Sequence, residues 1–172
     1  MAVLPILVTP DPVLRKISKP VDQVDDDLRR LMDDLLETMY AAPGVGLSAI
    51  QVGIPKRVMV IDCAGEGEAA RPLYLVNPEV TWRSEEETPY EEGCLSVPEQ
   101  YAEVWRPGEI EVSYLDYDGA AQTLRCDGLT ATCIQHEMDH FDGKLFIDYL
   151  SPLKRRMLLR KLKKAQKAKE PA

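Results

Sequence analysis

Both histidines of this chain lie in one short segment, CIQHEMDHFDGKLF, residues 133–146. His136 and His140 are four residues apart, and Glu137 follows the first of them. Side chains three or four residues apart on a helix lie on the same face, so two imidazoles at this spacing can bind one metal ion. A glutamate beside such a pair can serve as a general base. The segment therefore predicts a metal-dependent hydrolytic site on a helix.

A catalytic metal usually takes three protein ligands and leaves one position open. One extended metallopeptidase pattern, H-E-x-x-H-x-x-G-x-x-H, supplies a third histidine, but Phe146 stands at that position and no other histidine exists. A three-histidine site is therefore excluded. The remaining downstream carboxylates are Glu170, close to the end of the chain, and Asp142 or Asp148, which are typical of turns or caps. A metallopeptidase with an acidic third ligand remains the rival interpretation.

Cysteine is the strongest remaining type of third ligand. Cys133 lies on the same helix face but about 10 Å along the axis from His140, at about 1.5 Å per residue, and metal–ligand bonds cannot span that distance. Cys63 and Cys126 end predicted strands, where cysteine is usually a small buried residue. Cys94 follows a glycine in an acidic segment, where the backbone can approach another element. Elimination therefore favours Cys94.

Three helices are predicted from the apolar periodicity and from the signals at helix ends. The first covers residues 24–41 and has aspartates at the positive end of its dipole. The second covers residues 129–141, with Asp127 as a cap, and carries both histidines. The third starts at Ser151-Pro152, a cap followed by proline, and runs into the C-terminal tail.

Short apolar or alternating runs predict the strands. KRVMVID and RPLYLVNPEV are predicted strands, and EIEVSYLDY pairs with AAQTLRC around the Asp118-Gly119 turn. GVGLSAIQVG is expected to be irregular, and EEETPYEEGCLSVPEQ is expected to be a loop. These elements predict an α+β fold, in which mixed or antiparallel β-sheets pack around a central metal-binding helix, with an N-terminal helix and a C-terminal helix.

Length and composition indicate the class of protein. A chain of 172 residues with 45% apolar residues fits one globular unit, and we expect residues 1–150 to form a single catalytic metallohydrolase domain. No apolar run approaches the roughly 18 residues of a membrane helix, and the first residues do not resemble a signal peptide. The expected location is cytoplasmic, where the four cysteines stay reduced.

Residues 151–172 are expected to form a basic helix or tail continuous with that domain. This segment carries a charge of +8, which leaves −16 on the first 150 residues. One interpretation of this basic segment is an amphipathic helix that packs on the body of the protein. Another is contact with an anionic partner, above all RNA, because attraction to phosphate needs charge and little sequence. Contact with DNA or a membrane is not expected.

Three stretches, in order, resemble the signature motifs of the bacterial peptide deformylases: GVGLSAIQ (44–51), EGCLS (92–96) and QHEMDH (135–140). The resemblance extends over nearly the whole chain. Ser48 stands where the family usually has alanine, and Tyr101 stands where some relatives have an arginine that faces the outer end of the substrate.

The resemblance implies metal ligands at Cys94, His136 and His140, in agreement with the elimination argument. It implies ferrous iron, Fe(2+), as the native metal, with zinc, nickel or cobalt able to occupy the same site. The implied reaction removes the formyl group from the N-terminal methionine of nascent polypeptides, and the basic C-terminal helix is expected to contact the ribosome. A metal-holding, RNA-associated module without catalysis remains a rival from another class.

The resemblance also implies roles for residues around the metal. Glu137 is expected to move the proton of the attacking water, while the Gln51 side-chain amide and the Leu95 backbone N–H stabilise the charge that develops on the formyl oxygen. Gly46 lies where the chain can pair its backbone with an extended peptide. The walls of an apolar methionine pocket are assigned to Val45, Tyr90, Leu129 and Cys133, although each of these is commonly an ordinary core residue.

Histidines bound to a metal usually donate their second N–H to a fixed acceptor. Glu92 and Asp139 are the candidate acceptors, and Arg106 is expected to hold Asp139 in place. An ordinary surface ion pair is the alternative interpretation of these charges.

Overall fold

The computed structural model describes residues 2–169, so the last three residues of the predicted basic tail, with Glu170, lie outside the described residues. The described part contains three α-helices: α1 (Asp26–Ala41), α2 (Gly128–Phe141) and α3 (Pro152–Lys169). It contains seven strands: β1 (Gly46–Ser48), β2 (Val58–Ile61), β3 (Leu73–Arg83), β4 (Glu87–Cys94), β5 (Val97–Pro107), β6 (Glu109–Leu115) and β7 (Ala121–Asp127). The predicted α+β fold is confirmed.

Two antiparallel sheets organise the strands. The larger sheet has five strands in the order β1-β2-β3-β6-β7, and β4 pairs with β5 in a separate hairpin. Strands β6 and β7 join through the predicted turn, where Gly119 has a φ of +85° that favours glycine. Helix α2 contacts the five-stranded sheet and also strand β5 of the hairpin. The helix that carries the histidines therefore lies between the two sheets.

All four residues of strand β2 are buried. Because successive side chains of a strand point to opposite sides, β2 is buried on both faces. Val58 and Val60 belong to one apolar cluster, together with the buried residues of α1. Met59 and Ile61 belong to a second cluster, together with Ala131, Ile134 and Phe141 of α2. The sheet is consequently packed between α1 and α2, and this packing fixes the position of α2.

Helix α1 begins as its sequence predicts. The side chain of Asp25 accepts a hydrogen bond from the backbone N–H of Leu28 at 2.9 Å, and Asp26 and Asp27 follow in the first turn. Such a cap typically contributes about 1 kcal/mol to helix stability. The apolar face of the helix buries Met32, among other residues, against the sheet.

Helix α3 packs on the body of the protein through one side only. Leu158 and Leu162 are buried in a cluster with Val97, Val104 and Phe146. Most of the described lysines and arginines of the helix are exposed, so the expectation of an amphipathic helix packed on its own body is confirmed. Among residues 2–169, no helix is both long and apolar enough to cross a membrane.

Two local expectations were wrong. The segment EEETPYEEGCLSVPEQ is not a loop, because most of it forms the β4–β5 hairpin. The inward-facing residues of β4 include Tyr90, Glu92 and Cys94, so its alternation lacks the aliphatic side chains that identify a strand. The segment GVGLSAIQVG is not irregular, because it contains β1 and a 3₁₀ turn (Ala49–Val52). A strand of three residues is too short to give a periodic signal.

Gly143, just after α2, lies against the backbone of the N-terminal segment. Its φ is +72°, and an added Cβ would lie 2.5 Å from the carbonyl oxygen of Arg15. We predict that Gly143→Ala lowers the free energy of unfolding by about 2–4 kcal/mol, since a strained φ and a backbone clash add together. Urea denaturation at equilibrium measures this loss.

Gly67→Ala provides the matched control. Gly67 has a similar φ of +81°, but no described atom lies within 4 Å of its added Cβ. This substitution carries only the backbone strain, about 1 kcal/mol. Equal losses in the two variants would contradict the proposed clash with Arg15.

Candidate metal centre and active site

The structure brings together Cys94 at the end of β4 and the two histidines of α2. One potential ligand atom from each of Cys94, His136 and His140 lies within 4.8 Å of the others. The Cys94 Sγ and His140 Nε2 atoms are 3.5 Å apart. Ligands in a tetrahedral site with bonds of roughly 2.0–2.3 Å are separated by about 3.3–3.8 Å. A thiolate and two imidazoles in this arrangement fit one divalent metal ion.

The end of β4 is irregular at Cys94. Gly93 pairs with Tyr101, whereas Cys94 pairs with Val97, so the register shifts between these neighbouring residues. Register irregularities of this kind redirect side chains and are common beside functional sites. Gly93 is also covered by the ring of Tyr101, because an added Cβ would lie 2.5 Å from that ring. The hairpin thus presents Cys94 next to α2.

A buried ion network holds His136. Its Nδ1 donates to Glu92 Oε1 at 2.9 Å, which leaves Nε2 free to face Cys94 and His140. Arg106 donates to both oxygens of Glu92, at 2.7 and 3.0 Å. Burial alone would raise the pKa of Glu92, but the hydrogen bonds from His136 and Arg106 hold this pKa below its usual value. Glu92 therefore stays ionised inside the protein.

Asp139 occupies the other end of the same network. It accepts hydrogen bonds from Arg106 at 2.8 Å and from the hydroxyl of Tyr149 at 2.7 Å. The guanidinium of Arg106 also lies 4.7 Å from the centre of the Tyr149 ring. The Nδ1 atom of His140 has no hydrogen-bond partner among residues 2–169. Asp139 consequently acts on Arg106, and through it on Glu92, rather than on His140.

Glu137 is buried beside the ligand cluster. One carboxylate oxygen lies 3.9 Å from His136 Nε2, and the other accepts a hydrogen bond from the Ser48 hydroxyl at 2.9 Å. Burial raises the pKa of Glu137, although His136 and the Ser48 hydroxyl act in the opposite direction. A raised pKa brings a carboxylate closer to the range in which it exchanges protons at neutral pH.

Gln51 approaches the cluster from the 3₁₀ turn after β1. Its side-chain nitrogen donates to the Ser96 hydroxyl at 3.0 Å and lies 3.5 Å from Cys94 Sγ. Its side-chain oxygen accepts from the backbone N–H of Ser48 at 2.9 Å. The amide is therefore fixed at both ends. Leu95, which follows Cys94, packs its side chain against Gly44.

A cavity of about 820 Å³ opens onto the cluster. Its lining includes Val45, Gly46, Tyr90, Leu129 and Cys133 together with His136 and Glu137. Gly46 is a site of close packing, since an added Cβ would lie 2.9 Å from Cys133 Sγ and 3.0 Å from Glu137. Strand β1, which contains Gly46, is also an edge strand of the five-stranded sheet. The cavity can therefore receive an apolar side chain beside an edge strand.

Sequence reasoning missed the contributions of three residues. Ser96 anchors Gln51, and Tyr149 anchors Asp139, but neither stands at a spacing that indicates a site. The sequence marks Ser48 only as a departure from the family pattern, and its hydrogen bond to Glu137 explains how a polar residue is accommodated there. The functional signal of these residues lies in tertiary contacts rather than in local pattern.

Comparison with known proteins agrees with this geometry. The family model described as polypeptide deformylase matches residues 3–156. A peptide deformylase from Phenylobacterium zucineum is 59% identical over 168 residues, covering 98% of this chain and 99% of the relative. A peptide deformylase from Rhizobium meliloti is 55% identical over 169 residues, covering 98% of this chain and 97% of the relative.

Solved structures show the same likeness. The crystal structure of peptide deformylase from Ehrlichia chaffeensis has a TM-score of 0.93 at 39% identity and covers 97% of this chain and 98% of its own. A peptide deformylase structure from Legionella pneumophila has a TM-score of 0.92 at 46% identity and covers 99% of this chain and 100% of its own. The chain therefore belongs to the polypeptide deformylase family, the metal-dependent hydrolases that remove the formyl group from the N-terminal formyl-methionine of new polypeptides.

Proposed function

We propose that this chain deformylates nascent polypeptides with one divalent ion held by Cys94, His136 and His140. The observation that carries the proposal is the convergence of these three ligand atoms within 4.8 Å, with Cys94, His136 and the neighbouring Glu137 lining a cavity. We propose ferrous iron as the native ion, with zinc, nickel or cobalt as substitutes, because one thiolate and two imidazoles suit several divalent metals. When bound, such an ion lowers the pKa of water and polarises a carbonyl.

Glu137 is the proposed general base. It takes the proton of the attacking water and returns it to the amine that leaves as the formyl C–N bond breaks, so formate and a free amino terminus result. The Ser48 hydroxyl and the surrounding packing support this role, since they restrict the carboxylate to one orientation. Burial also keeps competing solvent away from its oxygens.

Two donors are proposed to stabilise the negative charge that develops on the formyl oxygen. One is the Gln51 side-chain amide, which lies 3.5 Å from Cys94 Sγ and is anchored by Ser96. The other is the backbone N–H of Leu95, the residue after Cys94. A donor that is already in place needs no reorganisation during the reaction, and losing one typically costs about 2.7–4 kcal/mol of the barrier.

The formyl-methionine side chain is proposed to enter the cavity between Val45, Tyr90, Leu129 and Cys133. The peptide after this methionine pairs its backbone with β1 at Gly46, which is supported by the position of β1 at the sheet edge. Main-chain hydrogen bonds do not depend on side-chain identity, so this mode of binding accepts many sequences after methionine.

We further propose that residues 1–150 form the catalytic domain, with residues 151–172 continuous with it. In this proposal the enzyme works in the cytoplasm and contacts the ribosome through α3. Support comes from the sides of the helix that do not pack on the body: Lys163 and Lys167 are exposed, and residues 151–172 carry nine of the chain's 21 lysines and arginines with a single glutamate.

The first test of the proposed function concerns the reaction itself. Protein purified without oxygen is expected to contain one divalent ion per chain and to release formate from formyl-Met-Ala-Ser. Cys94→Ala is expected to lose the ion during dialysis, because a ligand is missing. Glu137→Gln is expected to keep the ion but lose about 10²–10⁴-fold in kcat, because proton transfer fails.

Metal content and formate release are measured on the same samples. An iron-loaded protein that releases no formate would refute the proposed function. A Cys94→Ala variant with a full complement of metal would instead place the third ligand elsewhere.

A second test concerns Ser48. Ser48→Ala removes the hydrogen bond to Glu137, so kcat is expected to fall about 2–10-fold, the value of one hydrogen bond, while KM stays the same. Ser18→Ala is the matched control, since Ser18 is also buried but its hydroxyl has no partner among residues 2–169. If Ser48→Ala retains the full kcat, the hydroxyl does not position Glu137.

The third test addresses the ribosome. Deleting α3 would also remove the buried Leu158 and Leu162, so charge reversal on the exposed side is the cleaner change. Lys163→Glu with Lys167→Glu is expected to weaken ribosome binding by about tenfold at low salt, with a smaller salt dependence. Turnover of a formylated tripeptide should not change.

Lys16→Glu with Lys56→Glu makes the same change in net charge away from α3, and both residues are exposed. Ribosome sedimentation compares the two double variants. Equal binding by all three proteins, or equal weakening in both variants, would rule out a specific role for α3.

A further inference from the structure

A second groove lies between β5 and α3 and takes no part in the proposed chemistry. Its volume is about 490 Å³. Four large side chains in its lining are unusually exposed: Tyr101 (65%), Trp105 (56%), Tyr149 (49%) and Met157 (51%). Contiguous exposed aromatic and methionine side chains are typical of interaction sites and rarely occur without a partner.

The groove borders the active-site cavity. Gln100 and Tyr101 line both spaces. One edge of the Tyr101 ring lies against Gly93, the residue before Cys94, while much of the side chain stays exposed. A polypeptide that leaves the cavity along this side passes over Tyr101 and enters the groove. The proposed substrate therefore has a route across Tyr101 to the exposed aromatic side chains.

The charged side chains of the groove favour particular side chains in a bound peptide. Lys154 and Lys161 of α3 line it, and both are exposed. Glu103 also lines it and accepts a hydrogen bond from the indole N–H of Trp105 at 3.2 Å. The α3 side of the groove is thus basic, while the β5 side is mainly aromatic and has one acidic residue, Glu103. A segment with apolar side chains and nearby acidic side chains complements both features.

We propose that this groove binds the downstream part of the formylated substrate, the residues after the first three, with a preference for apolar and acidic side chains. The inference rests on the proposed function, which places the formyl-methionine at the metal end of the cavity. An extended chain advances about 3.3–3.6 Å per residue, so a tripeptide covers only about 10 Å and longer substrates are needed to use the groove. The groove therefore distinguishes nascent chains by their sequence beyond the third residue.

The test compares formyl-Met-Ala-Ser with the same peptide extended by Leu-Glu-Phe-Glu. The longer peptide is expected to have a KM about 3–10-fold lower, because several additional side chains are bound. Lys154→Glu with Lys161→Glu, and separately Trp105→Ala, are expected to remove this advantage without changing turnover of the tripeptide.

Two matched control variants are expected to retain the lower KM for the longer peptide. Lys163→Glu with Lys167→Glu makes the same charge change on the same helix, at residues outside the groove lining. Trp82→Phe alters the chain's other tryptophan, which lies on β3 and stacks with Arg125. This variant leaves Trp105 as the single tryptophan, so its fluorescence reports directly on binding of the extended peptide.

Equal KM values for the two peptides would overturn the inference, as would a length advantage that survives both groove substitutions. Groove variants that lose RNA binding while their peptide kinetics stay unchanged would assign the surface to nucleic acid and also overturn it. Failure of the wild-type protein to release formate from the tripeptide counts against the proposed function instead. In that case the fluorescence of Trp105 decides the inference: a change on adding the extended peptide supports binding in the groove, and no change overturns it.

Discussion

A single buried carboxylate, Glu92, joins the β4–β5 hairpin to the central helix. It accepts hydrogen bonds from His136 on α2 and from Arg106 on β5, and all three side chains are more than nine-tenths buried. Removing one partner from such a buried pair typically costs about 3–5 kcal/mol, because the other charge is left without compensation. The geometry of the candidate metal centre depends on this interaction, since it fixes His136 on one element with respect to Cys94 on another.

The five-stranded sheet supplies the rigid support for that arrangement. Strand β2 is buried on both faces, with α1 packed on one side and α2 on the other. Helix α2 uses Ala131, Ile134 and Phe141 to pack on the sheet, so its histidines and Glu137 are available to the hairpin. A catalytic group built on a packed helix is held more accurately than one carried by a surface loop.

The helices were predictable from the sequence because their signals are local. The H-E-x-x-H spacing, the cap of α1 and the start of α3 each depend on residues within one or two turns. The hairpin that carries Cys94 was not predictable, because its inward positions hold Tyr90, Glu92 and Cys94 rather than the aliphatic side chains that identify a strand. The roles of Ser96 and Tyr149 were not predictable either, because their partners are distant in sequence. Elimination among the cysteines indicated the residue that the structure brings next to the histidines, although the secondary structure assigned to it was wrong.

The ligand atoms come from two elements that are far apart along the chain: Cys94 and His140 are separated by 46 residues. An ion held by both residues would close a loop of this size, and in the usual polymer treatment such a closure lowers the entropy of the unfolded chain by an amount worth about 4 kcal/mol of stability. A bound ion would thus also crosslink β4 to α2. Oxidation of the thiolate would open that loop and deprive the fold of a crosslink at the same moment that it ends turnover.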